Sequence, residues 1–364
     1  MRPVTKDRLR AIYRALNGAA VVAALPFRKR GRGLRVFYGG ARPGDFGGTL
    51  VKVRLLQARF PEHRASFSIL YMLSNAIYLP AFAVARVRAA GVPLVLNQNG
   101  VFYPGWYPAG WERENARMAD PHAAADYVLY QSEFCRHCAE QFLGPRTGRS
   151  EILYNAVDTG HFRPRAGAAD KRPFNFLLTG KIGPSTAYRL SSSIAGLAAA
   201  RRGGLAVSLT VAGLVDPASR AGALKLAERL GVADAVVFTG PYTGDGAPRI
   251  YQDADAYLMT KHNDPCPNVV LEAMASGLPV LYSASGGVPE LVGPDAGMGL
   301  PVPETFEEDV APRPEAIAEG MAQVMRHREA MATKARARAI ERFDLRAWLA
   351  RHETVFNALL GHKA

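Results

Sequence analysis

Two acidic residues, Asp264 and Glu272, stand eight positions apart in the segment DPCPNVVLEAMASGLPV, Asp264 to Val280. The residues between them read as a loop that runs into a helix. Asn268 is a good N-cap, which predicts a helix from about Val269 to Ser276, stopped by Gly277 at the C′ position and followed by the strand LPVLYS. A strand from Ala254 to Thr260 is expected just before the loop. A helix that starts at the carboxyl end of a parallel strand presents free backbone N–H groups and a positive dipole end, and phosphate binds there. Asp264 then lies in the loop and Glu272 about one turn inside the helix, on the same face as Asn268. Such a pair can hold the sugar and the ribose of a nucleotide sugar whose diphosphate lies between them.

Four other strings accompany this segment. They are GGARPGDFGGT (Gly39 to Thr49), ADYVLYQSEF (Ala125 to Phe134), YNAVDTGHFRP (Tyr154 to Pro164) and ASGGVPELV (Ala284 to Val292). In this order, over roughly residues 34 to 355, the chain resembles the retaining glycosyltransferases of the family 4-like group. The acidic segment resembles that group's Glu-x7-Glu signature, with Asp264 one methylene shorter than the usual Glu. YNAVDTGHFRP resembles its Asn-Gly-Val-Asp-x-x-x-Phe-x-Pro element, with Ala156 in place of Gly. ASGGVPELV resembles its Gly-Gly-x-Pro-Glu turn.

The resemblance implies the GT-B plan, an α/β fold of two Rossmann-like doubly wound domains facing across a cleft. It also implies transfer of a sugar from a UDP- or GDP-sugar to a hydroxyl of a glycan, lipid or small-molecule acceptor, with retention of configuration. Glu272 would hold the ribose hydroxyls and Asp264 the donor sugar. The N–H groups of Asn268 and Val269, with Pro267 beside them, would take a phosphate, and Gly47 and Gly48 would lie near the diphosphate and the acceptor. In TGKIGPSTAYR, Lys181 occupies the first of the group's two basic positions. Thr186 stands at the second, and Arg189 is the nearest basic residue. No cofactor is implied. No metal is implied either, since no Asp-x-Asp element of the metal-dependent sugar-nucleotide enzymes appears. The leaving phosphate itself would help deprotonate the acceptor.

Glycines such as those of Gly39–Thr49 let a backbone pass close to a phosphate or a sugar, and they also serve plain turns. In NQNGVFYPGWYP, many relatives place a His where this chain has Asn97, Gln98 and Asn99. Amides donate and accept to sugar hydroxyls, and Tyr103, Trp106 and Tyr107 offer stacking faces; an aromatic loop packed on its own domain is the alternative.

Strand and helix signals alternate almost from end to end, the pattern of parallel doubly wound sheets. LRVFYGG, FSILYML, VPLVLNQNG, YVLYQS and EILYNA form a first series of strands; FNFLLTG, AVSLTVAG, AVVFTG, AYLMT and PVLYS form a second. RPRAGAADKRP, Arg163 to Pro173, separates them as a linker. The expected organisation is a basic arm over 1–33, an acceptor domain over 34–165, a donor domain over 174–345 and a terminal helix over 346–364 that crosses back to the first domain.

A chain of 364 residues with 48% apolar content suffices for two cores. Its net charge of +13 points to an anionic partner. No nucleic-acid motif or aromatic-studded basic stripe is present, so nucleic acid is not expected. Cys135 and Cys138 form a C-x-x-C without a second ligand pair, which reads as two small helix residues rather than zinc. Three cysteines without a disulfide framework fit a reducing, cytoplasmic compartment. His122, His137, His161 and His262 show no metal spacing, and His262 reads as a hydrogen-bonding loop residue.

Ahead of the first strand, Leu9, Ile12, Tyr13, Leu16 and Ala20 recur at helical spacing among Lys6, Arg8, Arg10 and Arg14, with Arg28, Lys29, Arg30 and Arg32 behind. This fits an interfacial helix on an anionic membrane surface, and equally a solvated arm or a helix packed on the domain. The apolar run Ala19 to Phe27 is too short to span a bilayer. The functional reading is a glycosyltransferase. Its rivals are an inactive sugar-nucleotide-binding or scaffold protein and, within enzymes, a sugar-nucleotide epimerase or a phosphorylase, the last without a motif for its pyridoxal-phosphate lysine.

Overall fold

The computed structural model describes residues 3–27, 33–45, 47–167 and 173–361. Arg28, Lys29, Arg30 and Arg32, the Lys6 side chain and the centre of the Arg163–Pro173 stretch lie outside the described residues. The chain divides into two compact units: Met1–Tyr103 with Tyr107–Tyr154 and Ala347–Ala364, and Pro104–Trp106 with Asn155–Arg346.

In unit 1 the chain alternates as α1 (Pro3–Ala24), β1 (Val36–Phe37), α2 (Gly48–Arg59), β2 (Ile69–Leu73), α3 (Ala81–Ala89), β3 (Leu94–Gln98), α4 (Trp111–Ala124), β4 (Tyr127–Tyr130), α5 (Glu133–Leu143) and β5 (Ser150–Ile152). The strands are parallel in the order β1-β2-β3-β4-β5. Val36 of β1 also bridges to Glu62 in the segment after α2. The chain therefore leaves β1 toward one side of the sheet and returns to β2 on the other. That reversal makes the carboxyl end of β1 a topological switch point, where α/β folds bind ligands. β2 and β4 are continuous buried apolar runs, as strands covered on both faces must be, and β3 is buried throughout although it ends in Asn97 and Gln98.

Unit 2 follows with β6 (Phe174–Thr179), α6 (Tyr188–Arg202), β7 (Val207–Ala212), α7 (Pro217–Arg229), β8 (Val236–Gly240), α8 (Ala247–Gln252), β9 (Ala256–Met259), α9 (Asn268–Ala275), β10 (Val280–Ser283), α10 (Val288–Val292), β11 (Gly297–Leu300), α11 (Pro314–Arg326) and α12 (Arg328–Phe343). Its strands run parallel in the order β11-β10-β9-β6-β7-β8. The switch point lies between β6 and β9, whose carboxyl ends carry Lys181 and Asp264. The last helix, α13 (Leu345–Leu359), belongs to unit 1 from Ala347 onward. There Phe356 meets Phe60 and Tyr71 edge-on.

Every strand expected from sequence is present, and β11 is an addition. Its sequence, GMGL, lacks the β-branched residues that mark strands. A Cβ on Gly297 would stand 2.0 Å from the Val280 carbonyl oxygen, so glycine is what lets this edge strand lie against β10. The change of unit falls at Asn155, ahead of the charged 163–173 stretch. Backbone contacts decide this: Val157 N–H donates to the Phe343 carbonyl and Leu345 N–H to the Val157 carbonyl. An Asp-x-Asp does occur, at Asp253–Asp255, but it precedes β9. Asp255 accepts there from the Asn175 N–H at the amino end of β6, remote from the loops that face a ligand.

Candidate active site

The loop from β9 to α9 is held on three sides. Gly286 has φ +67°, and a Cβ there would lie 2.5 Å from the Asp264 carbonyl oxygen. Gly287 N–H donates to that same oxygen at 2.9 Å, and Asn263 N–H donates to Ser285 Oγ. The Gly-Gly-x-Pro-Glu turn is thus the seat on which Asp264 rests. Asn155 closes the other side, its Nδ2 donating to the Cys266 carbonyl at 2.8 Å. Arg336 of α12 completes the frame by donating to the carbonyls of Thr159, Phe162 and Ala275. YNAVDTGHFRP is therefore a clamp on the acidic segment.

Asn268 is not the N-cap. It is the first helical residue, with Pro267 in the cap position and no side-chain cap bond. Pro267 fixes the extended backbone that a cap needs, which moves the helix start by one residue. Asn268 Oδ1 is buried without a hydrogen-bond partner. The other end follows the sequence reading: Gly277 has φ +73°, and Gly277 and Leu278 N–H groups return to the Met274 and Ala273 carbonyls.

Glu272 lies half-buried on the first turns of α9. Tyr251 of α8 donates to its Oε2 at 2.6 Å. Burial raises the Glu272 carboxyl above the usual carboxylate range, while the Tyr251 bond and nearby His161 oppose the shift. Tyr251 itself is fully buried among Thr179, Tyr257 and Phe162. Thr179 Oγ1, at the last residue of β6, lies 2.9 Å from the Tyr257 hydroxyl and 3.4 Å from that of Tyr251. Tyr242 titrates high because of burial and the Glu272 charge. This phenol cluster behind the carboxylate was not read from sequence; tyrosines at 242, 251 and 257 follow no motif.

Asp264 is paired with Lys261, Nζ to Oδ2 at 2.7 Å. Lys261 is thereby a further candidate residue, and its i,i+3 spacing from Asp264 in the loop is the signal the sequence offers for it. His262 is buried, its Nε2 donating to the Pro303 carbonyl at 3.3 Å. Lys181 is exposed in the loop after β6. Arg189 is not beside it in that loop but buried on α6. Its Nη2 donates to the Thr179 carbonyl at 3.2 Å and its Nε has no partner. A guanidinium under the turn of Thr179–Gly180 puts fixed positive charge below the backbone that faces the switch point.

In unit 1, Gly47 and Gly48 open the amino end of α2, with nothing within 4 Å of where a Cβ would stand on either. Gly39 and Gly40 do something else. Their carbonyls accept from Asn17 Nδ2 and the Tyr13 hydroxyl of α1, so half of the glycine loop is a dock for that helix. Asn97 is buried and turned inward, its Oδ1 accepting from Lys52 Nζ and Gln131 Nε2, each at 2.7 Å. The reason is charge: a buried ammonium needs an acceptor, and Asn97 is one. Asn99 is half-buried and its Oδ1 accepts from Gly100 N–H. Tyr103 is buried, whereas Trp106 and Tyr107 are exposed. Cys135, Cys138 and Cys266 are free and buried, and burial pushes the Cys138 thiol up to about 12.

Residues 192–342 match the family Glycosyl transferases group 1. The structure is similar to sucrose-phosphate synthase from Thermosynechococcus elongatus, with a TM-score of 0.67 and 17% identity over 86% of this chain and 78% of that one. It is also similar to Anabaena Alr3699/HepE in complex with UDP, at 0.63 and 17% over 85% and 82%. The fold is GT-B. Among curated proteins, the chain is 31% identical over 161 residues to a D-inositol 3-phosphate glycosyltransferase of Salinispora arenicola, 38% of this chain and 35% of that protein. It is 29% identical over 232 residues to a GDP-mannose-dependent alpha-(1-6)-phosphatidylinositol monomannoside mannosyltransferase of Mycobacterium tuberculosis, 58% of this chain and 57% of that one. The chain thus spans from about a third to about three fifths of these two relatives.

The group 1 match begins inside α6 and ends in α12, so it contains Glu272, Asp264 and the Gly286 seat but not Lys181 or Arg189. Within this GT-B unit the site offers an amide-lined helix start, two carboxylates and two cations around one switch point. Among the described residues no group of three or more His, Cys, Asp or Glu is placed to hold a metal.

Proposed function

We propose that the protein transfers a sugar from a UDP- or GDP-sugar to a hydroxyl of a glycan, lipid or small-molecule acceptor, with retention at the anomeric carbon. The observation that carries this reading is Glu272 at the switch point, half-buried and oriented by Tyr251. One carboxylate oxygen is engaged by the phenol and the other remains to accept ribose hydroxyls. The α9 start receives the diphosphate, whose first-turn N–H groups lack intrahelical partners. Lys181 and the buried Arg189 supply positive charge where the leaving diphosphate gains negative charge, which lowers the barrier most in the transition state. Asp264 holds the donor sugar, and release of Lys261 to a phosphate on donor binding would free that carboxylate. UDP in the Anabaena neighbour and GDP-mannose in the name of the mycobacterial relative make both donors the first to try.

The test is a thermal-shift screen of UDP-, GDP- and ADP-sugars, since a ligand of the native state raises its apparent stability by mass action. A shift with one of them, followed by donor hydrolysis or transfer, is the expected result. The Lys261–Asp264 ion pair favours a second reading, a sugar-nucleotide binder in which Asp264 is never released. A shift without hydrolysis or transfer to any acceptor selects that reading, and no shift with any donor removes both.

A further inference from the structure

The structure splits the apolar helix of the N-terminal arm into two faces. Tyr13, Arg14, Asn17 and Val21 turn toward unit 1. Tyr13 and Asn17 hold the Gly39–Gly40 carbonyls, Arg14 Nε donates to the Ile77 carbonyl at 2.8 Å, and Val21 is buried in the core. Gly18 is pressed against α3, where a Cβ would stand 2.6 Å from Pro80 and 3.3 Å from the Phe82 ring. The helix is therefore fixed on the domain with its opposite face out. From Ala11 to Ala24 every exposed residue of α1 is Ala, Ile or Leu. Leu9, Ile12 and Leu16 are 53%, 55% and 66% exposed, and Phe82 on the neighbouring α3 is 55% exposed. Three large apolar side chains stand on the outer face of α1 and a fourth on the helix packed beside it, more exposed apolar surface than the singly scattered residues of a monomer.

We propose that this α1–α3 face docks on an anionic bilayer surface, lying in the interface without crossing it. Charge complementarity selects the occupant. Arg8 and Arg10 stand exposed at the amino end of the apolar stripe and Arg86 on the exposed side of α3. The whole chain carries +13. An interfacial helix inserts its apolar face to the depth of the acyl boundary while flanking arginines meet headgroup phosphates. A second copy of the chain would present the same excess of positive charge and gains nothing from it. Among the described residues no helix is long and apolar enough to cross a membrane, which fits a surface-lying role. The proposal stands whether or not the glycosyl-transfer reading holds.

The full chain is tested by flotation with vesicles of phosphatidylcholine alone and of phosphatidylcholine with phosphatidylglycerol at about one lipid in three. Wild type is expected to float with the anionic vesicles, far less with the neutral ones, and less again at about 1 M salt, where the screening length is near 3 Å. Leu9→Gln/Ile12→Gln/Leu16→Gln should lower the partition at least about tenfold with an unchanged unfolding midpoint. Phe82→Gln, which leaves α1 untouched, should lower it severalfold and guards against a triple variant that loses the helix. Wild type that stays unbound, or both variants floating like wild type, would overturn the proposal. So would a dimer in sedimentation velocity that the triple variant dissociates, because the face would then belong to a second copy.

Discussion

The Tyr251 hydroxyl donates to Glu272 Oε2 at 2.6 Å from a fully buried position. The two residues are 21 apart in sequence and on different helices, so the bond ties α8 to α9. The bond lowers the cost of keeping Glu272 ionised where burial favours its protonated form.

Tyr251→Phe removes that donor and little volume. Donor affinity is expected to fall about tenfold at neutral pH, the size of one hydrogen bond to a charged group. The pH at which binding is half-maximal should move upward, since the carboxyl then protonates more readily. Calorimetric titration across pH checks this. A loss of affinity with an unmoved pH profile would mean that Tyr251 only fills space.

Glu272→Gln separates binding from stability. Donor affinity should drop by about 1.5–3 kcal/mol as the charged acceptor is lost. The ligand-free variant should nevertheless be at least as stable as wild type at neutral pH. The Glu272 carboxyl has a folded pKa above its unfolded one, so the native state binds the extra proton and wild-type stability declines as pH rises from the unfolded value through the folded one. Gln carries no such decline. Urea melts at a series of pH values should show the variant's advantage growing with pH and absent in acid; a variant destabilised at every pH would contradict the assignment.

Gly286→Ala should weaken donor binding without touching a donor contact. The residue sits at φ +67°, and a methyl there meets the Asp264 backbone at 2.5 Å. The left-handed conformation alone costs about 1–2 kcal/mol, and relief of the clash must displace the loop that carries Asp264. Gly222→Ala in α7, where nothing lies within 4 Å, is the matched control and should be neutral or slightly stabilising. Thermal melts and donor titrations of both variants decide it, and equal behaviour of the two would undo the seat proposed for Asp264.

Acid should loosen unit 1 through two buried imidazoles. Burial lowers His352 to about 3 and His122 to about 4. His352 Nδ1 donates to the Trp348 carbonyl and Nε2 lies 3.1 Å from the Tyr71 hydroxyl, while His122 Nε2 lies 2.8 Å from that of Tyr130. Both folded values are below the unfolded one, so the stability they confer is complete above about pH 6.5 and is lost as pH falls toward 4 and then 3. His352→Gln should flatten the unfolding midpoint over that window while lowering it at neutral pH. An unchanged slope, followed by urea melts from about pH 7 to 4, would show that His352 does not carry the dependence.

The alternation of apolar strand runs with helical stretches, and the strings around Asp264 and Glu272, determined the two parallel sheets and the place of the acidic helix from sequence alone. Those features are local: strand composition and a C′ glycine at Gly277. Tertiary structure decided the rest because it depends on what lies opposite. β11 is a strand because Gly297 fits against Val280, although its own residues argue against one. Asn97 turned inward because α2 buries Lys52 beside it. Arg189 went under the Thr179 turn, and Tyr251, Tyr257 and Thr179 met behind Glu272 through side chains distant in sequence. The two faces of α1 share one helical repeat in the sequence, and only the contacts of Tyr13, Asn17 and Gly18 with the domain determine which of them meets solvent.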